Sequence, residues 1–356
     1  MRGGSGSARA YVAAFMGGLI AMVTAVVASV VLLDRFAPEH LPPPAISNRS
    51  DLDEKLLFLR RHRDWEPSTL GVGSSITMRS LYGAPLSEGL EPRDRFLNVG
   101  FGGARIHQVR AVGRFYLDLF PTVRTVVQLV VPPDFEDCTT APSQLFDPAD
   151  AGAYVRGDMS SVKAYLKYFN PHELIPQAFG IAAARRNTSG GAVGDRLYTD
   201  PFGSMPMTMS APEARDRHEL LYTETRVLDP ACFRELRAWS REVEARGARL
   251  VIVVPPFSPI FLSEVAGAPE YIESFVQKLA LALKDTPAAL IDERSIAFGD
   301  EAYADAYHLL WPAARVFSRH VSDDVKQLAV GPSKGSGGTG KRPGSGFEPM
   351  FEGPRS

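Results

Sequence analysis

Apolar runs alternate with helical patterns along most of the chain. Leu70-Gly71-Val72-Gly73 and Phe96-Leu97-Asn98-Val99 are short apolar segments. Val123 to Val131, Ala248 to Val254 and Ala288 to Ile291 complete the series, and proline pairs close the first two of these three. Continuous apolar, β-branched runs are the mark of parallel strands buried on both faces. Between them lie segments with helical periodicity: Ser75 to Leu81, Ala104 to Leu119, Cys232 to Arg246, Tyr271 to Lys284 and Pro312 to Val330. In the second, Ile106, Val109, Val112, Phe115 and Tyr116 share one face. The third is entered through Asp229-Pro230 and closed by Gly247, an ordinary start and stop for a helix. Strands alternating with helices predict an α/β fold with a mostly parallel sheet between two helical layers. The stretch 135–230 breaks the rhythm; rich in Pro, Gly, Asp and Arg, with helical patches near 160–185, it is expected to be an insertion beside the site.

The two ends differ from the middle. Tyr11 to Leu33 carries no charge, and at about 1.5 Å per residue it is long enough for a roughly 30 Å hydrocarbon core. Arg2 and Arg9 precede it, so residues 1–10 are expected in the cytoplasm and the bulk of the chain outside it. A cleaved signal peptide is the rival, but its apolar core is normally about 7–15 residues, and here Val30 to Leu33 prolong the run past the small residues near Ala28. A single-pass anchor at 11–33 is therefore expected, with an extracytoplasmic (periplasmic) domain. Residues 34–64, opening with a proline-rich stretch, are expected to be a stalk and lead-in. Residues 331–356 hold eight Gly and four Pro and are expected to be a disordered tail. The core domain then spans 65–330.

Composition adds exclusions. The net charge of −2 and the absence of a dense Lys/Arg run argue against a nucleic-acid binder. Two cysteines, Cys138 and Cys232, allow neither a disulfide framework nor a four-cysteine zinc site; one disulfide and two buried thiols both remain open. His40, His62, His107, His172, His218 and His320 show no metal-ligand spacing, and no metal site is expected. Arg60-Arg61-His62-Arg63 is a short basic cluster near the proposed membrane, read as a solvated face or a contact with anionic lipid.

Chemistry concentrates at strand ends, where open α/β sheets bind ligands. Gly73-Ser74-Ser75-Ile76 marks a strand-to-helix turn that can lift a serine above the sheet. The helix start there can stabilise negative charge. Asn98-Val99-Gly100-Phe101-Gly102-Gly103 follows the second strand and can offer a free backbone N–H to an oxyanion. Asp305-Ala306-Tyr307-His308 places a carboxylate where it can hold one imidazole nitrogen and leave the other as a base. Val131-Pro132-Pro133-Asp134-Phe135 ends the third strand, with Asp134 either lining the site or, as the preferred reading, opening the insertion. Ser74, Asn98, Gly100 and Trp311 are further candidates to line the site.

In this order the blocks resemble the SGNH (GDSL-type) hydrolase superfamily. Gly73-Ser74-Ser75-Ile76 matches its first block with Ser75 as nucleophile, preferred over Ser74; Asn98-x-Gly100-x-x-Gly103 matches the second with Gly103 as oxyanion donor; Asp305-x-x-His308 completes the triad. The third block departs: the Asn expected there is missing. The chain is in this respect more similar to membrane-anchored members, such as the D-alanyl-transfer protein of teichoic acid synthesis and exopolysaccharide acetyltransferases. The resemblance implies a three-layer flavodoxin-like sheet and a cofactor-independent serine esterase or acyltransferase, with Ser75 and Gly103 N–H groups binding the oxyanion. A cell-surface glycan ester and envelope-complex proteins are the implied partners. The alternative is a catalytically weak or inactive partner of an envelope or polysaccharide assembly that kept the fold.

Overall fold

The computed structural model describes residues 5–37, 41–47, 49–91, 95–170, 200–208 and 225–330. The expected tail at 331–356, much of the insertion, and His40, His172 and His218 lie outside the described residues. Five strands form the sheet: β1 (Thr69–Gly71), β2 (Leu97–Asn98), β3 (Thr125–Leu129), β4 (Arg249–Val254) and β5 (Ala289–Asp292). All neighbours are parallel, in the order β2-β1-β3-β4-β5. This is a doubly wound order that reverses between β1 and β3.

The helices follow from the crossovers. β1 leads to β2 through α1's successors α3 (Ser75–Ser80) and α4 (Gly83–Ser87), where α1 is Ser5–Phe36 and α2 is Ser50–Arg61. The later crossovers run the other way through α5 (Ile106–Leu119) and, beyond α6 (Pro148–Arg156) and α7 (Ser161–Lys167), through α8 (Pro230–Ala245). After β4 come α9 (Pro259–Glu264) and α10 (Ala268–Leu283), and after β5 comes α11 (Trp311–Val330). Right-handed crossovers in opposite directions put helices on opposite faces. Accordingly α8 packs between α5 and α10 on one face, while α11 packs on α3 and α4 on the other. The strands between them are almost wholly buried: Leu70, Leu97, Val126, Val127 and Ile252 to Val254 are each 0 % exposed.

Local chemistry fixes the helix starts. The Asp229 carboxylate accepts from the Ala231 N–H at 2.8 Å, with Pro230 at the first helical position of α8. Asp147 and Pro148 do the same for α6, and the Ser160 hydroxyl accepts from Lys163 N–H at the start of α7.

One expectation changes, and two details are added. The stalk over 34–64 is not an extended spacer: residues 41–47 are mostly buried, and α2 sends Leu52, Leu56, Phe58 and Leu59 into the main core. Its apolar positions recur at helical spacing, which outweighs the prolines before it. The described parts of the insertion join that core through Phe146, Ala151, Tyr154 and Val155. Cys138 and Cys232 form a disulfide, Cα atoms 5.4 Å apart, tying the segment after β3 to the start of α8.

At the N-terminus, Arg9–Phe36 of α1 is long and apolar enough to cross a membrane, and very little of it is buried in the protein.

Candidate functional site

Ser75 opens α3 directly beyond β1, and it is half-buried, whereas Ser74 beside it is buried. On α3 only Ser75 and Arg79 are not buried; four residues apart, they share the open face of the helix. His308 approaches from the segment before α11. Its Nε2 lies 2.9 Å from Ser75 Oγ, and its Nδ1 lies 2.7 Å from Asp305 Oδ2. The other carboxylate oxygen of Asp305 accepts the backbone N–H groups of Tyr307 at 2.9 Å and His308 at 2.8 Å. Burial opposes ionisation of Asp305, but the charge of His308 and these hydrogen bonds outweigh it and hold the carboxyl below its ordinary range. A carboxylate fixed on Nδ1 makes Nδ1 the protonated nitrogen and leaves Nε2 as an acceptor for the serine proton.

The glycine loop after β2 is held by the start of α2. Gly103 sits at φ +55°, a conformation that favours glycine. Asp51 of α2 accepts the Gly102 N–H, and Arg49 donates to the Gly102 carbonyl while lying over the Phe101 ring. The N–H groups of Ser75 and Gly103 make no hydrogen bond among the described residues, so both are free to donate to a ligand oxygen.

Asn98 and Gly100 do not line the site. Asn98 is buried, its amide donating to the carbonyls of Thr77 (2.8 Å) and Leu81 (3.0 Å), and its oxygen accepting from Gly100 N–H (3.0 Å). Every group is used, so Asn98 clamps the loop to α3 from behind. Gly100 is required by packing, since a Cβ there would come within 2.8 Å of Met78 N. Lys55 extends the clamp: its buried ammonium donates to the carbonyls of Asn98 and Gly203, and burial pulls it down to about 8.

Asp134 lies nearer the site than the preferred reading had it. It caps a short 3-10 turn at Pro132–Phe135 and is buried beside Ser74, within electrostatic range of His308 and Arg105. Burial pushes its carboxyl up to about 7, against the contact from Ser74 and the Val131 N–H. Trp311 is half-buried, its ring 4.9 Å from that of Tyr82, which in turn packs on Phe202. His107 bonds to the Ala141 carbonyl rather than facing the serine.

Arg79, Asp51 and Lys55 were not singled out from sequence. The signal for Arg79 was its position four residues after Ser75. Burial lowers its guanidinium, while the charges of Asp51 and Asp305 oppose the shift. Among the described residues, no cluster of three His, Cys, Asp or Glu side chains is arranged to hold a metal ion.

No protein-family model and no curated protein matches the chain.

Proposed function

We propose that the protein is a membrane-anchored, extracytoplasmic serine enzyme of the SGNH type, an esterase or acyltransferase acting on an acyl ester. The observation that carries this reading is the continuous chain from Ser75 Oγ to His308 Nε2 and from His308 Nδ1 to Asp305. In the proposed mechanism His308 takes the Ser75 proton as Ser75 attacks the ester carbonyl. The imidazolium that forms is stabilised by Asp305, and the tetrahedral oxyanion is met by the N–H groups of Ser75 and Gly103. His308 then protonates the leaving alcohol. Water or an acceptor hydroxyl, such as that of a cell-surface glycan, resolves the acyl-enzyme. Arg2 and Arg9, ahead of the uncharged run at 11–33, support an outward-facing domain. No cofactor is called for.

The test is p-nitrophenyl acetate turnover by the full chain in detergent micelles, beside Ser75→Ala and His308→Ala. Turnover lost in both variants, with unchanged circular dichroism, is expected. Turnover equal in all three would refute the reading.

One observation favours a second reading, a weak or inactive partner in an envelope assembly. The end of β3 brings Asp134 where the resemblance expects an amide donor, and the amide of Asn98 is consumed elsewhere. Losing one oxyanion donor typically costs about 10²–10³ in rate. Full function of Ser75→Ala in cells would select this reading.

A further inference from the structure

A cavity of about 340 Å³ lies at the junction of α1 and the domain, lined by none of the triad residues. Its charged lining is Arg60, Arg61, Arg63 and Asp34, with Tyr154 and Tyr165 beside them. We propose that it seats the phosphate of a glycerophospholipid from the bilayer that α1 crosses. The inference rests on α1 spanning that bilayer and is independent of acyl transfer.

Depth is the first argument. The 28 residues of Arg9–Phe36 extend about 42 Å, against roughly 30 Å of hydrocarbon, so the ends of α1 reach into the headgroup layer. Asp34 and Arg35 occupy its last turn. One turn earlier, Val30 packs with Leu41 and Tyr165, joined by Leu33 and Val162, which holds α7 at the same depth. The cavity is therefore level with lipid phosphates.

Charge is the second. Three arginines and one aspartate line the cavity. Arg60 is locked in place: one nitrogen donates to the carbonyls of Tyr154 (2.5 Å) and Met159 (2.8 Å), and the group lies 4.6 Å over the Tyr154 ring. Arg63 is exposed and makes no hydrogen bond or ion pair among the described residues. Every glycerophospholipid carries an anionic phosphate, so the site needs no net-acidic leaflet, and guanidinium forks suit phosphate oxygens.

The third is an apolar flank. Leu166 on α7 and Phe169 just beyond it are 57 % and 54 % exposed. At the boundary between headgroups and acyl chains these side chains bury against lipid instead of water.

The test uses the full chain in phosphate-free maltoside micelles, with lipid retention read by native mass spectrometry. Dioleoylphosphatidylcholine and dioleoylphosphatidylglycerol are added separately, dioleoylglycerol serves as the phosphate-free control, and inorganic phosphate serves as competitor. One phospholipid of either type is expected to stay bound to wild type. Its retention should weaken about tenfold or more in Arg61→Gln/Arg63→Gln, and measurably in Arg63→Gln alone, where exposure of the side chain leaves the fold intact. Equal retention by wild type and both variants would overturn the proposal. So would equal retention of dioleoylglycerol, or displacement of lipid by millimolar phosphate, which would mark a free-phosphate site. Release of the native protein from membranes by carbonate removes the premise and overturns it too, without touching the acyl-transfer reading, which the ester assay decides.

Discussion

Replacing Asp305 with Asn isolates what the carboxylate does for His308. The backbone bonds from Tyr307 and His308 go to one oxygen, which an amide oxygen can replace. The bond to His308 Nδ1 goes to the other, which becomes an NH₂ group. That donor forces Nδ1 to accept and moves the ring proton to Nε2, toward Ser75 Oγ, so the base is lost in the resting state. A second loss is electrostatic. A carboxylate about 4 Å from the imidazolium centre stabilises it by about 4 kcal/mol at an effective dielectric of 20. At 1.36 kcal/mol per decade that is about 10³ in rate. With the tautomer penalty added, kcat should fall by about 10⁴, as the same exchange does in serine proteases. Stability should change little, because both backbone bonds survive. The assay is the p-nitrophenyl ester rate with pre-steady-state burst analysis, alongside thermal unfolding. A variant within tenfold of wild type, while His308→Ala is inactive, would refute the assignment of Asp305 as the partner of the base.

Three other substitutions probe the scaffold. Gly113→Ala places a Cβ 2.6 Å from the Trp239 ring, whose indole N–H is anchored to Gln128, so α5 and α8 must move apart; a loss of about 1–3 kcal/mol in denaturant unfolding is expected, and none would refute the packing. Cys232→Ser opens a loop of 94 residues and should cost roughly 4–5 kcal/mol by loop entropy, so equal unfolding midpoints with and without reductant would count against the bridge. Asp134 binds its proton more tightly folded than unfolded, so native protein holds more protons between about pH 4 and 7 and its stability falls across that window. Asp134→Asn should remove that slope, gaining on wild type by up to about 4 kcal/mol between pH 4 and 8; a pH-independent difference in chemical-denaturation free energies would contradict it.

The five strands were legible because a parallel strand buried on both faces shows itself as an apolar run, and each lies within a residue or two of its expected place, though the ladders are shorter than the runs. The Asp305–His308 pair was legible for a similar local reason: the two are three residues apart, so their contact needs only one turn of chain. What escaped depends on contacts between distant segments. Nothing near Asn98 says that its amide is consumed by Thr77 and Leu81, or that Lys55 reaches across to it. The prolines at 42–44 suggested a spacer because their neighbours' burial is supplied by the folded domain. The pairing of Cys138 with Cys232 needed α8 to be brought against the segment after β3.

The sheet order explains why Ser75 and His308 meet although β5 stands two strands from β3 and three from β1. The winding direction reverses between β1 and β3, so the crossovers diverge there and leave the carboxyl end of β1 uncovered. Ser75 emerges into that gap, with the glycine loop from β2 on one side and Asp134 from β3 on the other. His308 must cross the top of β4 to reach it, and the path is pinned along its length. Ser258, beyond β4, donates its N–H to the Ala306 carbonyl at 3.1 Å. Tyr303 and Leu309 form an antiparallel bridge, and the Ala304 N–H donates to the His308 carbonyl at 2.8 Å. On the far side the Ser80 hydroxyl, at the end of α3, accepts from Leu309 N–H at 3.4 Å. His308 is thus braced against both the neighbouring strand end and α3. The 2.9 Å contact with Ser75 is a property of the assembled sheet, and local sequence specifies only its two ends.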